Sequence, residues 1–463
     1  MAIIRDRSFM ADDGTVPIEL LISCINEHQQ NLTRLNKLDE YYRGEHLILE
    51  RPDSQTGLPN NKLVANHAKY ITDIAVGYVL GNPVKYDNVD LIVDLYKELD
   101  ISSHDSEIGK DLSIFGVGRE LYYLSSDDVP VPKVTCIDPR QIFLVVDDTV
   151  EYKSMFGVHY YERMDIDGKP DGYKVFVYTD TTITEYVTDE LDGGYELVGS
   201  QEHYWGAVPV VEFWNNEEQM GDFEGVLTLI DAYNALASDR LNDKDQFVDA
   251  ILKIWGVSLG DDEAEASQTI QLLKKLKVLE LPSSEAGADW LTKQLNEEQV
   301  EVLRNALKSD IHEFSMVPDL TDKNFAANAS GVAMKYKLFG MEQLAVTKER
   351  YFKQGLRERL EMFGRMLGVK GQRVDTSKVQ ITMTRNLPVN DLEVAQLINL
   401  LIDRVSDETL ISLLSFVDDP AAEIKKVRAQ RKEAAKRQQA AFGMPFDDSD
   451  RVTDKDEDDG NEK

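Results

Sequence analysis

The side chains that most often do chemistry are scattered through this sequence. Its seven histidines are dispersed, and Cys24 and Cys136 lack the paired spacing of a structural zinc site. Neither the H-E-x-x-H motif of zinc proteases nor the G-x-x-x-x-G-K-[ST] loop of nucleotide hydrolases occurs. The Gly-Val-Gly at 116–118 is too short for a dinucleotide-binding fingerprint. The sequence thus predicts no catalytic residue, no metal ion and no cofactor.

One loop has the beginning of a calcium site. The stretch DIDGKPDGY at 165–173 starts with aspartates at alternate positions, as an EF-hand loop does. However, Lys169 occupies the third ligand position, Pro170 the glycine position and Phe176 the position of the closing glutamate. We therefore interpret this segment as a hairpin turn.

Paired carboxylates, which glycosidases use as acid and base, occur in runs such as DDEAE at 261–265 and DEDD at 456–459. With 84 acidic and 51 basic residues the net charge is −33, so such runs are expected as solvated surface. The same charge argues against a chain that grips nucleic acid by neutralising phosphates. A hydrolase with an unrecognised acid pair is one alternative that this composition leaves open.

The C-terminal region contains a basic run and an acidic tail. Residues 423–437 hold seven basic and two acidic side chains on a predicted helix. Two interpretations stay open: a nucleic-acid contact, or a solvated helix face, which we favour because the acidic tail adjoins it. That tail, 447–463, holds nine acids and three bases with hardly any apolar residue, so we predict that it is disordered.

Length and composition favour a folded chain of several structural units. The chain has 463 residues, of which 42% are hydrophobic, enough to bury real cores. Two cysteines are too few for a disulfide framework, which favours synthesis inside a cell. The N-terminus lacks the apolar core of a signal peptide, and no uncharged apolar run reaches ~18 residues. We expect a chain that is neither exported nor membrane-spanning.

Helical periodicity and turn chemistry divide the first half of the chain. Apolar residues at a 3.6-residue period predict a helix at 16–42. Asn61 is the predicted N-cap of a second helix at 62–80, which Gly81 ends. Short apolar runs between turn sequences predict an antiparallel β segment over about 118–213.

Two long helices follow this β segment. The first is predicted from 226 to 255, and its polar centre, SDRLNDKDQ, is typical of a strut rather than a core helix. A smaller insert follows at 257–294. The second long helix starts after Asn296, its predicted cap, and Pro318 bounds its end. Two long helices that flank an insert predict a stalk with a head.

The last third of the chain is predicted to be mainly helical. A polar loop at 319–330 precedes a helical stretch at 331–366, in which Gly340 and Gly355 predict a bend or a close approach. Together they predict a kinked helix. Further predicted helix starts are Asn390 or Asp391, Ser406, and Asp419 with Pro420 at the first helical position.

Four blocks of the sequence carry a family resemblance. They are YYRGEH (41–46), NNKLVANHAKYITDIAVGYVLGNPVKY (60–86), VVEFWNNEEQMGDFEGVLTLIDAYNALASDRLNDKDQFVDAIL (210–252) and NASGVAMKYKLFGMEQLAVTKERYFKQGLRER (328–359). In this order they resemble the portal proteins of long-tailed, siphovirus-type bacteriophages. The resemblance spans roughly residues 16 to 440.

The resemblance implies a mainly helical α+β fold, the portal fold, whose parts match the order of elements predicted above. In that family the subunit has a wing, a stem of two helices and a clip inserted between those helices. A kinked tunnel helix and a helical crown follow. The implied boundaries are a wing at 1–225, stem helix 1 at 226–256, the clip at 257–294, stem helix 2 at 295–317, the tunnel loop, kinked helix and return to the wing at 318–387, the crown at 388–440 and a disordered acidic tail at 441–463.

The resemblance also implies a function. Portal proteins form a ring, a dodecamer by family analogy, at one capsid vertex, where double-stranded DNA is packaged and later ejected. Implied partners are other copies of the chain, the terminase large subunit, a head-completion or adaptor protein, and the scaffolding and major capsid proteins. The chain would be made in the host cytoplasm and reside in the virion, with no enzymatic role. A helical scaffold or adaptor without a channel is a second alternative.

The resemblance assigns roles to a few residues. Lys323, Asn324 and Asn328 of the tunnel loop are expected to touch DNA in transit, and Gly340 to supply the bend that lets the loop project inward. An ion pair of Lys323 with nearby aspartates is the alternative. Trp290 is expected to anchor a partner at the clip, with simple core packing as the alternative.

Overall fold

The computed structural model of the chain describes residues 3–53, 59–127, 129–247, 251–255, 262, 265, 267, 287–291, 297–321, 336–386, 391–402, 404–414, 417 and 420–442. Contacts divide the chain into two compact units, Met1–Asn386 and Leu387–Lys463. Within the described ranges, no helix combines the length and the apolar character needed to cross a membrane.

The first unit combines helices with mostly antiparallel strands, which confirms the predicted α+β class. Its helices are α1 (Ile18–Arg43), α2 (His67–Leu80), α3 (Asp90–Glu98), α4 (Ile101–Phe115), α5 (Leu227–Phe247), α6 (Glu297–Phe314) and α7 (Phe339–Val369). Its strands are β1 (Ile3–Arg5), β2 (Lys85–Asp87), β3 (Val117–Leu124), β4 (Pro132–Ile137), β5 (Ile142–Asp147), β6 (Ser154–Met164), β7 (Pro170–Tyr178), β8 (Thr182–Thr188), β9 (Glu196–Glu202), β10 (Val210–Trp214), β11 (Ile251–Trp255), β12 (Gly287–Leu291) and β13 (Gln380–Thr382).

The largest sheet has six strands in the order β1-β5-β6-β7-β8-β9. Strands β5 to β9 are antiparallel neighbours joined by tight turns, as predicted from the turn sequences. Strand β1 is parallel to β5, with Ile3 opposite Val145, and α1 covers this sheet. Leu21 and Ile25 of α1 are fully buried with Phe156 of β6, so an apolar helix stripe and an apolar sheet face share one core.

A smaller sheet, β10-β3-β4, packs between helices. Helix α7 crosses β10 at Gly355, where an added Cβ atom would overlap the edge of the Phe213 ring. The ring is itself fully buried, so it has no room to move. The helix continues through Gly355 without interruption, so this glycine marks a close approach, one of the two roles the sequence predicted.

We predict that Gly355→Ala lowers the free energy of unfolding by about 1–3 kcal/mol, because the new methyl group overpacks the contact with Phe213. This loss should appear although alanine favours a helix by ~1 kcal/mol over glycine. Gly368→Ala, in the same helix, is the matched control because a methyl group added there would have nothing within 4 Å. Urea denaturation that ranks the two variants equally would contradict the close approach at Gly355.

Helix α7 also carries a fully buried charge, that of Arg359. The guanidinium of Arg359 is fully buried and bonds Asp105 of α4 at 2.6 Å and Glu120 of β3. Tyr122 donates to the second oxygen of Glu120 at 2.5 Å. Burial tends to raise the pKa of Glu120, but Arg359 and His104 together outweigh it and lower that pKa to about 2. One arginine thus holds α4, β3 and α7 together.

The second unit is helical where it is described. It contains α8 (Asp391–Leu401), α9 (Asp407–Ser412) and α10 (Pro420–Phe442). The predicted cap Ser406 is confirmed, because it accepts a hydrogen bond from the amide of Thr409. Pro420 is the first residue of its helix, as predicted, while Asp419 lies outside the described ranges. Helix α10 extends two residues into the segment predicted as a disordered tail from 441, and residues 443–463 lie outside the described ranges.

Candidate functional site

The two long helices α5 and α6, together with the strands β11 and β12 that lie between them in the chain, form a helix–strand–strand–helix unit. Helices α5 and α6 pack against each other, and β11 pairs antiparallel with β12. The prediction of one helix over 226–256 is therefore wrong at its end, because Ile251–Trp255 is a strand. Its pairing partner lies nearly 40 residues later in the chain, and helical periodicity carries no information about such a distant contact.

Ion pairs fix α5 against α6. Arg240 of α5 reaches Glu297 and Glu301 of α6 at 2.7 Å each, and Arg304 also pairs with Glu301 at 2.6 Å. Hydrogen bonds from Arg304 and then Arg240 lower the pKa of Glu301 to about 2. These groups are partly exposed to solvent, so they fix the register of the two helices more than they add to stability. They account for part of the polar centre of α5.

The other polar residues of α5 hold an extended segment of the chain. Three α5 side chains spaced four residues apart lie on one face and accept hydrogen bonds from alternate backbone amides of residues 61–65. The pairs are Asn234 with Ala65 at 2.8 Å, Ser238 with Leu63 at 2.9 Å and Asn242 with Asn61 at 2.5 Å. The polar residues of α5 thus form a ladder of three hydrogen bonds that holds residues 61–65, which belong to no helix or strand.

This ladder corrects the predicted start of α2. Asn61 does not cap the helix, because its amide is engaged by α5. Helix α2 begins at His67, and Asn66 is the N-cap that accepts from the amide of Lys69 at 2.9 Å. The predicted end is confirmed, since the helix ends at Leu80, immediately before Gly81.

Helix α2 also contacts the chain on both sides of the predicted tunnel loop. On one side, the hydroxyl of Tyr70 donates to the carbonyl of Pro318 and accepts from the amide of Leu320 at 2.9 Å. On the other side, the hydroxyl of Tyr78 donates to Glu342 of α7 at 2.7 Å. The two tyrosines are eight residues apart, about 12 Å along the helix. The apolar face of α2 packs, while its two phenol tips bond the chain on both sides of the loop.

The first residues of the predicted tunnel loop are tightly bonded. Asp319 pairs with Lys308 at 2.5 Å and accepts from the amide and hydroxyl of Thr321. Partial burial tends to raise the pKa of Asp319, but these contacts outweigh it and lower that pKa to about 2. The described partners of Asp319 are Lys308 and Thr321. The alternative for Lys323, an ion pair near Asp319 and Asp322, stays open because residues 322 and 323 lie outside the described ranges.

The structure places only some of the predicted site residues. Lys323, Asn324 and Asn328 lie outside the described residues. Trp290 belongs to β12, where its backbone is opposite Leu252, and its side chain is not among those described. The predicted roles of all four residues stay predictions.

Gly340 is the second residue of α7 and follows a turn at Leu338. A Cβ there would lie 3.8 Å from Met316, an ordinary contact distance. The bend predicted at Gly340 stays a prediction, because residues 322–335 lie outside the described ranges.

Sequence reasoning missed Tyr70 and Tyr78 as anchors. The signal that could have singled them out is the polar tip of a tyrosine on a packed helix face. A buried phenol needs a hydrogen-bond partner, so a tyrosine repeated every two turns on a packed face predicts two contacts with other segments.

The sequence of this chain is similar to those of known proteins. The family model described as "Phage portal protein, SPP1 Gp6-like" matches residues 22–437. The portal protein of Bacillus phage SPP1 is 24% identical over 491 aligned positions, which cover 99% of this chain and 94% of that protein. The portal protein of Clostridium phage phiCD119 is 23% identical over 415 positions, which cover 83% of this chain and 88% of that protein.

Among solved structures, a chain from the "Neck of native GTA particle computed with C12 symmetry" is similar, with a TM-score of 0.39 and 12% identity. The match covers 76% of this chain and 88% of that one. The family model itself spans both the α5–α6 unit and the basic run at 423–437. This chain therefore belongs to the SPP1 Gp6-like family of phage portal proteins.

Proposed function

We propose that the chain assembles into a cyclic ring, a dodecamer, at one capsid vertex and that double-stranded DNA passes through its centre during packaging and ejection. The observation that carries this proposal is the family match over residues 22–437. A ring of identical chains needs head-to-tail interfaces that close on themselves. The terminase large subunit would dock first and the head-completion or adaptor protein afterwards, with the scaffolding and major capsid proteins around the ring.

The described elements support the division into portal parts. Helices α5 and α6 with the β11–β12 ribbon between them are the proposed stem and clip, which would carry the contacts with motor and adaptor. Strand β13 pairs with β2, so the chain returns to its N-terminal part after α7, as proposed for the wing. The second compact unit starts at Leu387, next to the proposed start of the crown at 388.

The described residues bear differently on the two alternative functions, a hydrolase and a scaffold without a channel. A hydrolase would need an acid pair free to exchange protons. Asp105 and Glu120, one pair of close buried carboxylates, are unsuited to this role because both bond Arg359, which helps to keep Glu120 ionised. A scaffold without a channel shares every described element with a portal, so imaging of the assembly must separate these two functions.

The tunnel loop supplies the functional test. We predict that Lys323→Glu leaves ring assembly intact but reduces DNA packaging, because the substitution turns a band of positive charge in the ring into a band that repels phosphates. The measurement is DNase-protected DNA per capsid in a packaging assay. Lys97→Glu, at an exposed helix position of the first unit, is the control and should package normally.

If Lys323→Glu rings package as much DNA as wild-type rings, Lys323 does not touch DNA in transit. The proposed portal function would then be supported by ring formation but not by a contact between Lys323 and DNA. Loss of packaging in both variants would indicate that added acid anywhere on the ring interferes, which also contradicts the assignment of Lys323.

A further inference from the structure

A second cluster of chemically active side chains lies between α4 and β4, away from the α5–α6 unit. The Sγ atom of Cys136 is 3.3 Å from Nδ1 of His104. Glu107 is one helical turn beyond His104, and the ligating atoms of the three residues all lie within 4.8 Å of one another. His104 is buried whereas Glu107 is exposed, so the cluster opens to solvent on one side.

The hydrogen bonds of His104 leave one ring nitrogen available as a ligand. Its Nε2 is 2.8 Å from a carboxylate oxygen of Glu120, and both oxygens of Glu120 also accept from Arg359, so Glu120 acts as the acceptor. Nε2 must carry the hydrogen, so in the neutral ring the lone pair is on Nδ1, facing Cys136. Metal-binding histidines are commonly oriented in this way, with the second ring nitrogen donating to a carboxylate.

We propose that His104, Glu107 and Cys136 bind a divalent cation of the zinc class, with solvent as the fourth ligand. One sulfur, one imidazole nitrogen and one carboxylate oxygen form a donor set that zinc accepts. Zinc bonds of about 2.0–2.3 Å in a tetrahedron place ligand atoms roughly 3.5 Å apart. The 3.3 Å between Sγ and Nδ1 matches this separation.

Electrostatics favour a cation at this position. The carboxylates of Glu120, Asp111 and Glu107 surround the sulfur of Cys136 closely enough to act on its charge. The same carboxylates attract a divalent ion, which would convert the thiol to a bound thiolate. A thiol that donates to Nδ1 is the alternative that explains the short contact without a cation.

The test uses the purified full-length chain, reduced and freed of metal by a chelator, and titrated with Co²⁺. We expect an absorption band from charge transfer between thiolate and Co²⁺ that saturates at one ion per chain and disappears when Zn²⁺ is added. Cys136→Ser should remove the band. Cys24→Ser should keep it, because Cys24 is the other cysteine of the chain and is buried in the α1 core.

Glu107→Gln provides a variant that should fold normally, because Glu107 is exposed. It should raise the dissociation constant for Co²⁺ at least about tenfold, since even groups that only orient metal ligands are worth 10–100-fold in affinity. The proposal is overturned if the wild-type chain shows no such band, or if the band persists in Cys136→Ser or is equally strong and equally tight in Glu107→Gln. None of these outcomes depends on ring formation.

Discussion

Replacing Arg359 with methionine is expected to lower the free energy of unfolding by about 3–5 kcal/mol, because it leaves buried carboxylates without a counter-charge. Arg359 is fully buried, and its guanidinium bonds Asp105 and Glu120 from two other elements. Methionine is similar in length and apolar, so the loss comes from the two carboxylates rather than from a cavity. The measurement is urea denaturation followed by circular dichroism.

Arg365→Met is the matched control for this prediction. Arg365 lies on the same helix but is about half exposed, and its pairing with Glu361 at 3.7 Å is a surface contact. We expect a change below ~1 kcal/mol there. If the two methionine variants lose equal stability, the buried network does not hold α4, β3 and α7 together.

The pH dependence of Arg359→Met gives a second check. Burial already raises the pKa of Asp105 in the wild-type chain, although Arg359 opposes it. Without Arg359 the folded protein should bind protons at carboxylates that the unfolded chain leaves ionised at neutral pH. Folded-state pKa values above the unfolded ones add stability at low pH that is lost as pH rises. The deficit of the variant should therefore be smaller at pH 5 than at pH 8.

The second large effect is expected at the ladder on α5. Asn234 is fully buried, accepts from the amide of Ala65 and donates to Nδ1 of His46 at 2.8 Å. Asn234→Ala leaves the buried ring nitrogen of His46 without a partner, which costs about 1–3 kcal/mol, and removes the hydrogen bond of the part-buried Ala65 amide, which is worth about 1 kcal/mol. We expect a loss of about 2–4 kcal/mol in the free energy of unfolding.

Asn242→Ala at the other end of the ladder is the control. Asn242 is only partly buried, so water replaces its bond to the amide of Asn61. We expect a loss below ~1 kcal/mol there. Equal losses for Asn234→Ala and Asn242→Ala would mean that the ladder is incidental and that packing alone holds residues 61–65.

The local features of the fold were predictable because their causes are local. Gly81 ends α2, while Ser406 and Pro420 start helices where their cap chemistry predicts. The antiparallel strands from Val117 to Trp214 followed from alternating runs and turn sequences. Each of these signals lies within a few residues of the feature that it predicts.

The failures all involve partners far away in the sequence. Strand β1 is parallel to β5 across some 140 residues, and Ile251–Trp255 leaves the helical pattern to pair with β12. Helix α2 starts later than predicted, because side chains of α5 accept hydrogen bonds from alternate amides of residues 61–65. Helix periodicity and cap preferences describe neighbours on one element, so they could not show these contacts.

The same difference between local signals and distant partners applies to the candidate site. The two long helices were predicted from the sequence, whereas most of the insert and of the polar loop lies outside the described residues. The family match over 22–437 confirms the resemblance that the four blocks carried. The anchoring tyrosines of α2 and the cluster of His104, Glu107 and Cys136 were not visible. Their members come together only through the packing of separate elements, and His104 and Cys136 are 32 residues apart.

The central claim is that this chain forms a ring with an open centre, and single-particle electron microscopy of the purified full-length protein tests it most directly. The proposal predicts class averages of rings with rotational symmetry and a central hole wide enough for a DNA duplex. Lys323→Glu should give the same rings, since the substitution targets DNA rather than assembly. A chain that stays monomeric at all concentrations, or that assembles into closed particles or filaments without a channel, would contradict the claim.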